Sequence, residues 1–573
     1  MKNFYRIAPK ALFGAVLAGG LIGCGGASEK ETEATTEMTS SETIVDETLL
    51  PVVPEATIDE AGLRARIATL ASDEFEGRAP ATAGGQKTRD YLIQQMTDIG
   101  LSPANGDSFE QPVPLVEVSL DPVRSTMTLG GVTPAYGSEA VFWTKRVVEE
   151  ASFSDSDLVF VGYGVVAPEY GWDDYAGIDV TGKTVVMLVN DPGYATQDPD
   201  LFNGNAMTYY GRWTYKYEEA ARQGAAGAIV IHQTAPASYG WGVVEGGWTG
   251  PQLDLERPDG GASRVVMESW IQEDVAKDLF ARAGEDFDAA LEAAKTKGFK
   301  PFALGDLKAS ATIVNTIRNS ESANVAGVLR GSERPDEYVL YMAHWDHLGR
   351  NDANTDDPIS NGAVDNATGT AGILSIAEAF AANETPPERS VMFVAVTAEE
   401  SGLLGSAYFG EDPLVPLGQI VGGINVDAII PTPRAKDVVV VGYGSSELED
   451  ILKIAAEKRG LYIRPDPSPE RGGFYRSDHI SLSKKGVPMI YADSGIDLFE
   501  GGEEAGKPYG EDYGANRYHK PADEYQEDWN MESITSTADL FYEVGAMLAY
   551  SNDWPNWYDG NEFRALRDAQ RAE

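Results

Sequence analysis

Five histidines occur in the chain, and four of them, His344, His347, His479 and His519, fall in its last part. An apolar run from Tyr338 to Ala343 leads directly into His344-Trp345-Asp346-His347. An aspartate two residues after a ligating histidine can accept the second ring N–H, fixing the tautomer and raising the ring's basicity. Alone, one His-x-Asp is better read as a surface turn. Further acids follow in comparable places. Gly362-Ala363-Val364-Asp365-Asn366 leads into a helical stretch, Ala398-Glu399-Glu400-Ser401-Gly402 follows the apolar run Ser390 to Thr397, and Asp427 follows Ile420 to Val426. Tyr518-His519-Lys520-Pro521-Ala522-Asp523 stands near the end.

The single cysteine excludes an intramolecular disulfide and any thiolate metal cage, so a metal site here must use histidine and carboxylate. Charge arithmetic makes sense of the set. Asp365, Glu400 and Asp427 with one hydroxide would neutralise two Zn²⁺ ions, while His344 and His519 add neutral nitrogen donors. One bridging carboxylate, plus one histidine and one carboxylate per metal, leaves room for water and substrate, as metal-assisted hydrolysis needs. Each residue by itself could be a solvated polar side chain, the commoner fate of Asp and Glu. Five in a consistent order, three at the ends of predicted strands, argue against coincidence.

The elements that must position them are legible in outline. After about Asn324, apolar strands (338–343, 390–397, 420–426, and others near Val438 and Met489) alternate with helices (370–382, 448–458, 534–550). Continuous apolar runs fit strands buried on both faces, and the alternation predicts an α/β fold: an open, mostly parallel sheet with helices on both faces. Ligands in such sheets gather beyond the carboxyl ends of strands, where these residues lie.

His344-x-Asp346, Gly362-Ala-x-Asp365-Asn366, Glu399-Glu400-Ser401-Gly402, Asn425-x-Asp427 and Tyr518-His519 resemble the motifs of the dizinc aminopeptidase family, which also includes glutamate carboxypeptidases, the transferrin receptor and glutaminyl cyclase. The resemblance covers about 59–115 and 324–551. It implies a zinc exopeptidase-like fold with two zinc ions per chain, one held by His344 and Asp427, the other by Glu400 and His519, with Asp365 bridging. It implies Glu399 as general base, Tyr518 as the group stabilising the developing oxyanion, Asp346 as partner of His344, and a cis Asp365–Asn366 bond. Arg476-Ser477-Asp478-His479 resembles a family segment near the substrate, making Arg476 a candidate substrate contact and His479 a structural residue. His347 follows His344 too closely to join it easily on one metal and is read as a supporting or surface histidine. His232, ending a strand, needs no functional role.

The expected activity is removal of N-terminal residues from peptides. A carboxypeptidase or glutaminyl cyclase of the same fold is the alternative among enzymes. A non-catalytic receptor is the alternative outside them, but it would be expected to have lost ligands.

The remaining residues set the context. Of 573 residues, 42% are hydrophobic and 24% charged, enough for sizeable cores and more than one domain. With 90 Asp plus Glu against 45 Lys plus Arg, the net charge of −45 repels nucleic acid and anionic lipid. Lys2, Arg6 and Lys10, the apolar run Ala11 to Ile22, and Leu21-Ile22-Gly23-Cys24 resemble a bacterial lipoprotein signal. That resemblance implies a signal over 1–23, acylation of Cys24, and a membrane tether through its lipid in the cell envelope, facing the periplasm or exterior. Residues 24–56, rich in Glu, Thr and Ser, read as an acidic flexible tether. The peptidase domain is then expected over 57–119 and 316–573, interrupted by a β-rich insert over 120–315. Within the insert, Tyr170 to Lys183 and the following strand, helix and strand to Ile231 resemble the protease-associated domain. Peptides are the expected partners.

Overall fold

The computed structural model describes residues 53–352, 354 and 356–572. The lipoprotein-like segment, Cys24 and most of the expected tether lie outside the described residues. No described helix is long and apolar enough to cross a membrane.

Four parallel strands form the centre of the sheet that carries the candidate site, in the order Met489–Ser494, Ile420–Asn425, Arg334–His344, Arg389–Val396. Arg389–Val396 and Ile420–Asn425 are buried at every residue, as their unbroken apolar runs require. On one flank Asp437–Val441 runs antiparallel to Met489–Ser494 and carries Tyr462–Pro465 beyond it. On the other, Phe302–Leu329 runs antiparallel to Arg389–Val396. The sheet is therefore mixed, with its parallel part at the centre.

Alternation along the strands divides the side chains between two faces. Leu340, Met342, Met392 and Val394 pack with Phe409, Leu482 and Val487 under the short helices Leu404–Glu411 and His479–Ser483. Tyr341 and Phe393 point the other way and stack, with centroids 5.1 Å apart, beneath Phe380 and Tyr542. Those two rings belong to the helices Gly369–Ala381 and Glu532–Ala549. The N-terminal helices add to this layer. Asp59 caps Glu60–Leu70, and Thr82 caps Ala83–Ile99, which Gly100 ends in the left-handed conformation at φ 92°.

A second set of strands, Ala140–Trp143, Met267–Gln272, Gly227–His232, Thr184–Leu188 and Glu150–Phe160, has its own buried clusters around Phe160, Phe280 and Trp270. Both sets meet on one strand. Phe302–Leu329 pairs with Glu150–Phe160 over its first half, with Glu110–Leu120 over 315–325, and with Arg389–Val396 over 325–329. This long strand was not legible in the sequence, because Gly305-Asp306 and Lys308 break its apolar alternation and the register slips there.

Candidate metal centre

The carboxyl ends of the central strands converge. His344 is the last residue of its strand, Asp427 lies two residues past Asn425, and Glu399 and Glu400 follow Val396. Asp365 sits in the turn that opens helix Gly369–Ala381, and His519 comes from the connection before helix Glu532–Ala549. Three non-glycine residues beside these groups, Ala398, Ala428 and His519, hold left-handed backbone at φ 53–55°. Such conformations cost free energy and persist where the surroundings over-determine them.

Asp365 is shared between two histidines. One oxygen lies 3.2 Å from His344 Nε2, and the other lies 3.3 Å from His519 Nε2. His344 Nε2 is also 3.1 Å from Asp427 Oδ1, and His519 Nε2 is 3.1 Å from Glu400 Oε2. The five residues assigned as ligands thus come together in the pairing implied by the resemblance, with Asp365 between the pairs. The Asp365–Asn366 bond is cis, also as implied. His344, Glu399 and Asp427 present potential ligand atoms within 4.8 Å of one another, as do His347, Asp365 and Glu400. Nitrogen and carboxylate donors gathered in two such groups fit divalent metals that accept imidazole and carboxylate.

Electrostatics separates the two adjacent glutamates. Burial, aided by Glu400 and Asp427, pushes the Glu399 carboxyl well above the usual range against the pull of His344. Burial and Asp365 would raise Glu400 too, but His347 and His519 bring it down to about 2. Burial likewise opposes ionisation of Asp365, yet hydrogen bonds from His344 and His519 hold it well below the usual carboxylate range. Tyr518 stacks on His519 at 3.9 Å. Desolvation and the carboxylates Asp365, Glu400 and Glu399 keep its hydroxyl protonated, so it can donate a hydrogen bond.

Two of the expected residues gain detail. The Asp346 carboxylate is not the nearest partner of His344: it lies 3.9 Å from Nδ1, whereas the Asp346 main-chain carbonyl lies at 3.1 Å. The carboxylate also accepts the Glu399 backbone N–H at 3.1 Å, so Asp346 meets the ring through its carbonyl and the expected base through its carboxylate. Arg476 does not join the cluster. It is exposed, with its guanidinium over the Tyr239 ring at 5.5 Å. Its neighbour Ser477 makes the contact, donating to Asp427 Oδ2 at 2.6 Å while accepting from Asn425 Nδ2 at 2.7 Å.

His347 is fully buried, and its Nδ1 lies 2.6 Å from Glu400 Oε1. It supports the side of the site opposite His344, because the chain turns between the two residues. His479 is buried between Phe474 and Tyr491, and His232 bonds the Tyr239 carbonyl at 3.0 Å, both away from the cluster.

The sequence reading gave no role to several residues that hold the site. Asp523 accepts the backbone N–H groups of Val364 (3.0 Å) and Asp365 (3.1 Å). Asn366 donates to the Val426 carbonyl and accepts from Ala428 N, tying the Asp365 turn to the Asp427 turn. Arg78, 1% exposed, donates to the carbonyls of Leu70, Trp345, Asn361 and Gly362 at 2.6–2.8 Å. It joins the end of the His344 strand to the turn that carries Asp365. Asp523 follows His519 by four residues, which is a signal in the sequence; Arg78 has none.

The chain is similar in part to known peptidases. Aminopeptidase NAALADL1 of Rattus norvegicus is 34% identical over 138 residues, covering 23% of this chain and 17% of that protein. The chain thus matches about a sixth of that relative's length. The probable glutamate carboxypeptidase AMP1 of Arabidopsis thaliana is 26% identical over 257 residues, 42% of this chain and 31% of that protein. Among solved structures, an aminopeptidase from Aneurinibacillus sp. strain AM-1 aligns at 18% identity and TM-score 0.48, over 86% of this chain and 93% of its own. A zinc aminopeptidase from Bacillus subtilis aligns at 18% identity and TM-score 0.44, over 89% of this chain and 100% of its own. Residues 324–544, which hold all five convergent acids and histidines, match the model of peptidase family M28.

Proposed function

We propose that the protein is a dizinc aminopeptidase that releases N-terminal residues from peptides. The observation that carries the reading is Asp365, whose two oxygens face His344 and His519 separately, as a bridging carboxylate must. His344 with Asp427, and His519 with Glu400, would complete the two sets of donors. When bound, such metals acidify a water and polarise the scissile carbonyl.

The chain's own groups supply the rest. Glu399, whose pKa is raised by burial, takes the proton from the attacking water and returns it to the leaving amine. The Tyr518 hydroxyl, kept protonated, donates to the oxygen on which charge develops. Asp346 fixes the Glu399 backbone, and Ser477 holds one oxygen of Asp427 so that the other faces His344.

The test is hydrolysis of a panel of free aminoacyl, N-blocked and C-terminal reporter peptides, with and without chelator, alongside metal analysis. Chelator-sensitive cleavage of free aminoacyl substrates and two zinc per chain are expected. Efficient cleavage of blocked substrates would favour the carboxypeptidase alternative and overturn this reading.

A further inference from the structure

At the amino end of strand Ile420–Asn425, away from the metal centre, a cavity of about 740 Å³ opens between Leu417, Gln419, Trp554, Gln570 and Arg571. The opposite end of that strand leads to Asp427. Its six residues, at about 3.3 Å each, put roughly 20 Å between the cavity and the metal centre. Three guanidiniums lie near the Trp554 indole: Cζ of Arg389, Arg567 and Arg571 is 5.3, 5.5 and 4.9 Å from its ring centroid. Arg389 has an acid, Glu337, at 2.6 Å. Among the described residues, no acid forms an ion pair with Arg567 or Arg571. Asp568, the acid within their own helix Arg564–Ala572, is turned to Arg564 at 3.7 Å and Asn556 at 2.8 Å.

Arg567 is fully buried, and its Nη2 donates to the Ile420 and Val421 carbonyls at 2.7 and 3.1 Å. Its Nε and Nη1 have no hydrogen-bond partner. Burial, with repulsion from Arg571, lowers its pKa to about 10, so it is still charged at neutral pH. Arg571 follows one helical turn later, exposed at the cavity wall. Like charges four residues apart on a helix repel. In a chain with 90 acidic residues against 45 basic ones, two adjoining arginines without an acid are a local reversal of sign. The helix dipole favours cations in the last turn by about 0.3–1 kcal/mol, but it offers no acceptor to the buried N–H groups of Arg567. An anion does, or neutralises their charge from the cavity.

We propose that this cavity binds a small organic anion, a carboxylate or phosphate on an apolar or aromatic body, with its charge against Arg571, the charge of Arg567 behind it, and its body against Trp554 and Leu417. Guanidinium groups match the oxygens of both anions, and the volume lies within the range of about 300–1,000 Å³ usual for small-molecule sites. The site is independent of the aminopeptidase reading.

Fluorine NMR of the zinc-loaded protein carrying 5-fluorotryptophan tests this, with the Trp554 signal identified by its loss in Trp554→Phe. Phenyl phosphate and benzoate are the probes, and benzamide is the uncharged control. At least one anion should move the Trp554 signal saturably with a Kd below about 1 mM, and the tighter of the two tells phosphate from carboxylate. Benzamide should leave the signal in place, and Arg571→Gln should weaken anion binding by about tenfold or more. Calorimetric titration of the unlabelled protein, wild type beside Arg571→Gln, reads the same loss without the label. The absence of a saturable Trp554 shift up to about 10 mM anion would overturn the proposal, as would an equal response to benzamide or an unchanged Kd in Arg571→Gln. Anions held by the metals alone would leave the Trp554 signal unmoved and the variant's affinity intact, which also overturns it.

Discussion

Replacing Arg78 by methionine should loosen the metal centre while leaving every candidate ligand in place. The guanidinium is buried and bonds four main-chain carbonyls from three separate segments. Burial lowers its pKa to about 10, so it is still charged at neutral pH. A hydrogen bond to a charged group contributes about 1.5–3 kcal/mol, and an unsatisfied buried carbonyl costs about 1–3 kcal/mol. Against that, removing the guanidinium relieves a desolvation penalty of several kcal/mol. The net expectation for Arg78→Met is a loss of about 3–5 kcal/mol. Arg78→Lys keeps the charge but has three donors for four carbonyls, so a loss of about 1–3 kcal/mol is expected. Urea midpoints in the presence of chelator, with wild type and both variants side by side, read the scaffold without the metals. Metal retention after dialysis then reads the site, with Arg78→Met expected to retain less zinc. A wild-type midpoint in Arg78→Met would refute the claim that this side chain joins the His344 strand to the Asp365 turn.

Four further outcomes are expected. Glu399→Ala should keep its metals but lose about 10²–10⁴-fold in kcat, whereas Glu400→Ala should lose metal and recover partly with excess zinc; metal analysis beside turnover checks the two roles. His519→Ala should lose one metal per chain, while His347→Ala should retain both with weaker affinity at the Glu400 side, as read by competition with a chromogenic chelator. Burial holds His479 near pKa 3, against about 6.5 for a free histidine, so only the unfolded chain takes up its proton between these values. Stability should therefore fall as pH drops through 6.5, by roughly 2 kcal/mol at pH 5, and His479→Phe should lose less over that range in urea titrations. Cys24→Ser should release the protein from membranes, and a variant still bound after alkaline washing would argue against the lipid tether.

Much of the sheet was legible because its central strands are apolar on both faces. The run Ser390 to Thr397 anticipates Arg389–Val396 to within a residue, and Ile420 to Val426 does the same for Ile420–Asn425. Their polar successors are the candidate ligands, so strand recognition and site recognition were one inference. The supports were harder to read because they act on main-chain groups far away in sequence. Arg78 and its partner carbonyl at Gly362 are 284 positions apart, and no side-chain pattern at either end marks the bond. Asp346 shows a related limit: His-x-Asp brings both a carboxylate and a carbonyl near the ring, and spacing alone does not choose between them. Spacing weighs His347 against His344 alone, whereas the turn between them carries it to Glu400.

The strand Phe302–Leu329 has a mechanical consequence. Its 28 residues, at about 3.3 Å each, make a beam roughly 90 Å long if fully extended, which twist and the register slip shorten. One end is bonded into the sheet beneath Phe280 and the other beside the strand that leads to Glu399. On this side the two cores are joined by a continuous hydrogen-bonded ribbon in place of a slack linker, so relative motion must bend the ribbon or break its pairing with Glu110–Leu120. Force applied to the half around Phe280 would be transmitted along that ribbon to the strand that leads to Glu399, and a cut between Asn315 and Ser322 would sever both halves at their common member.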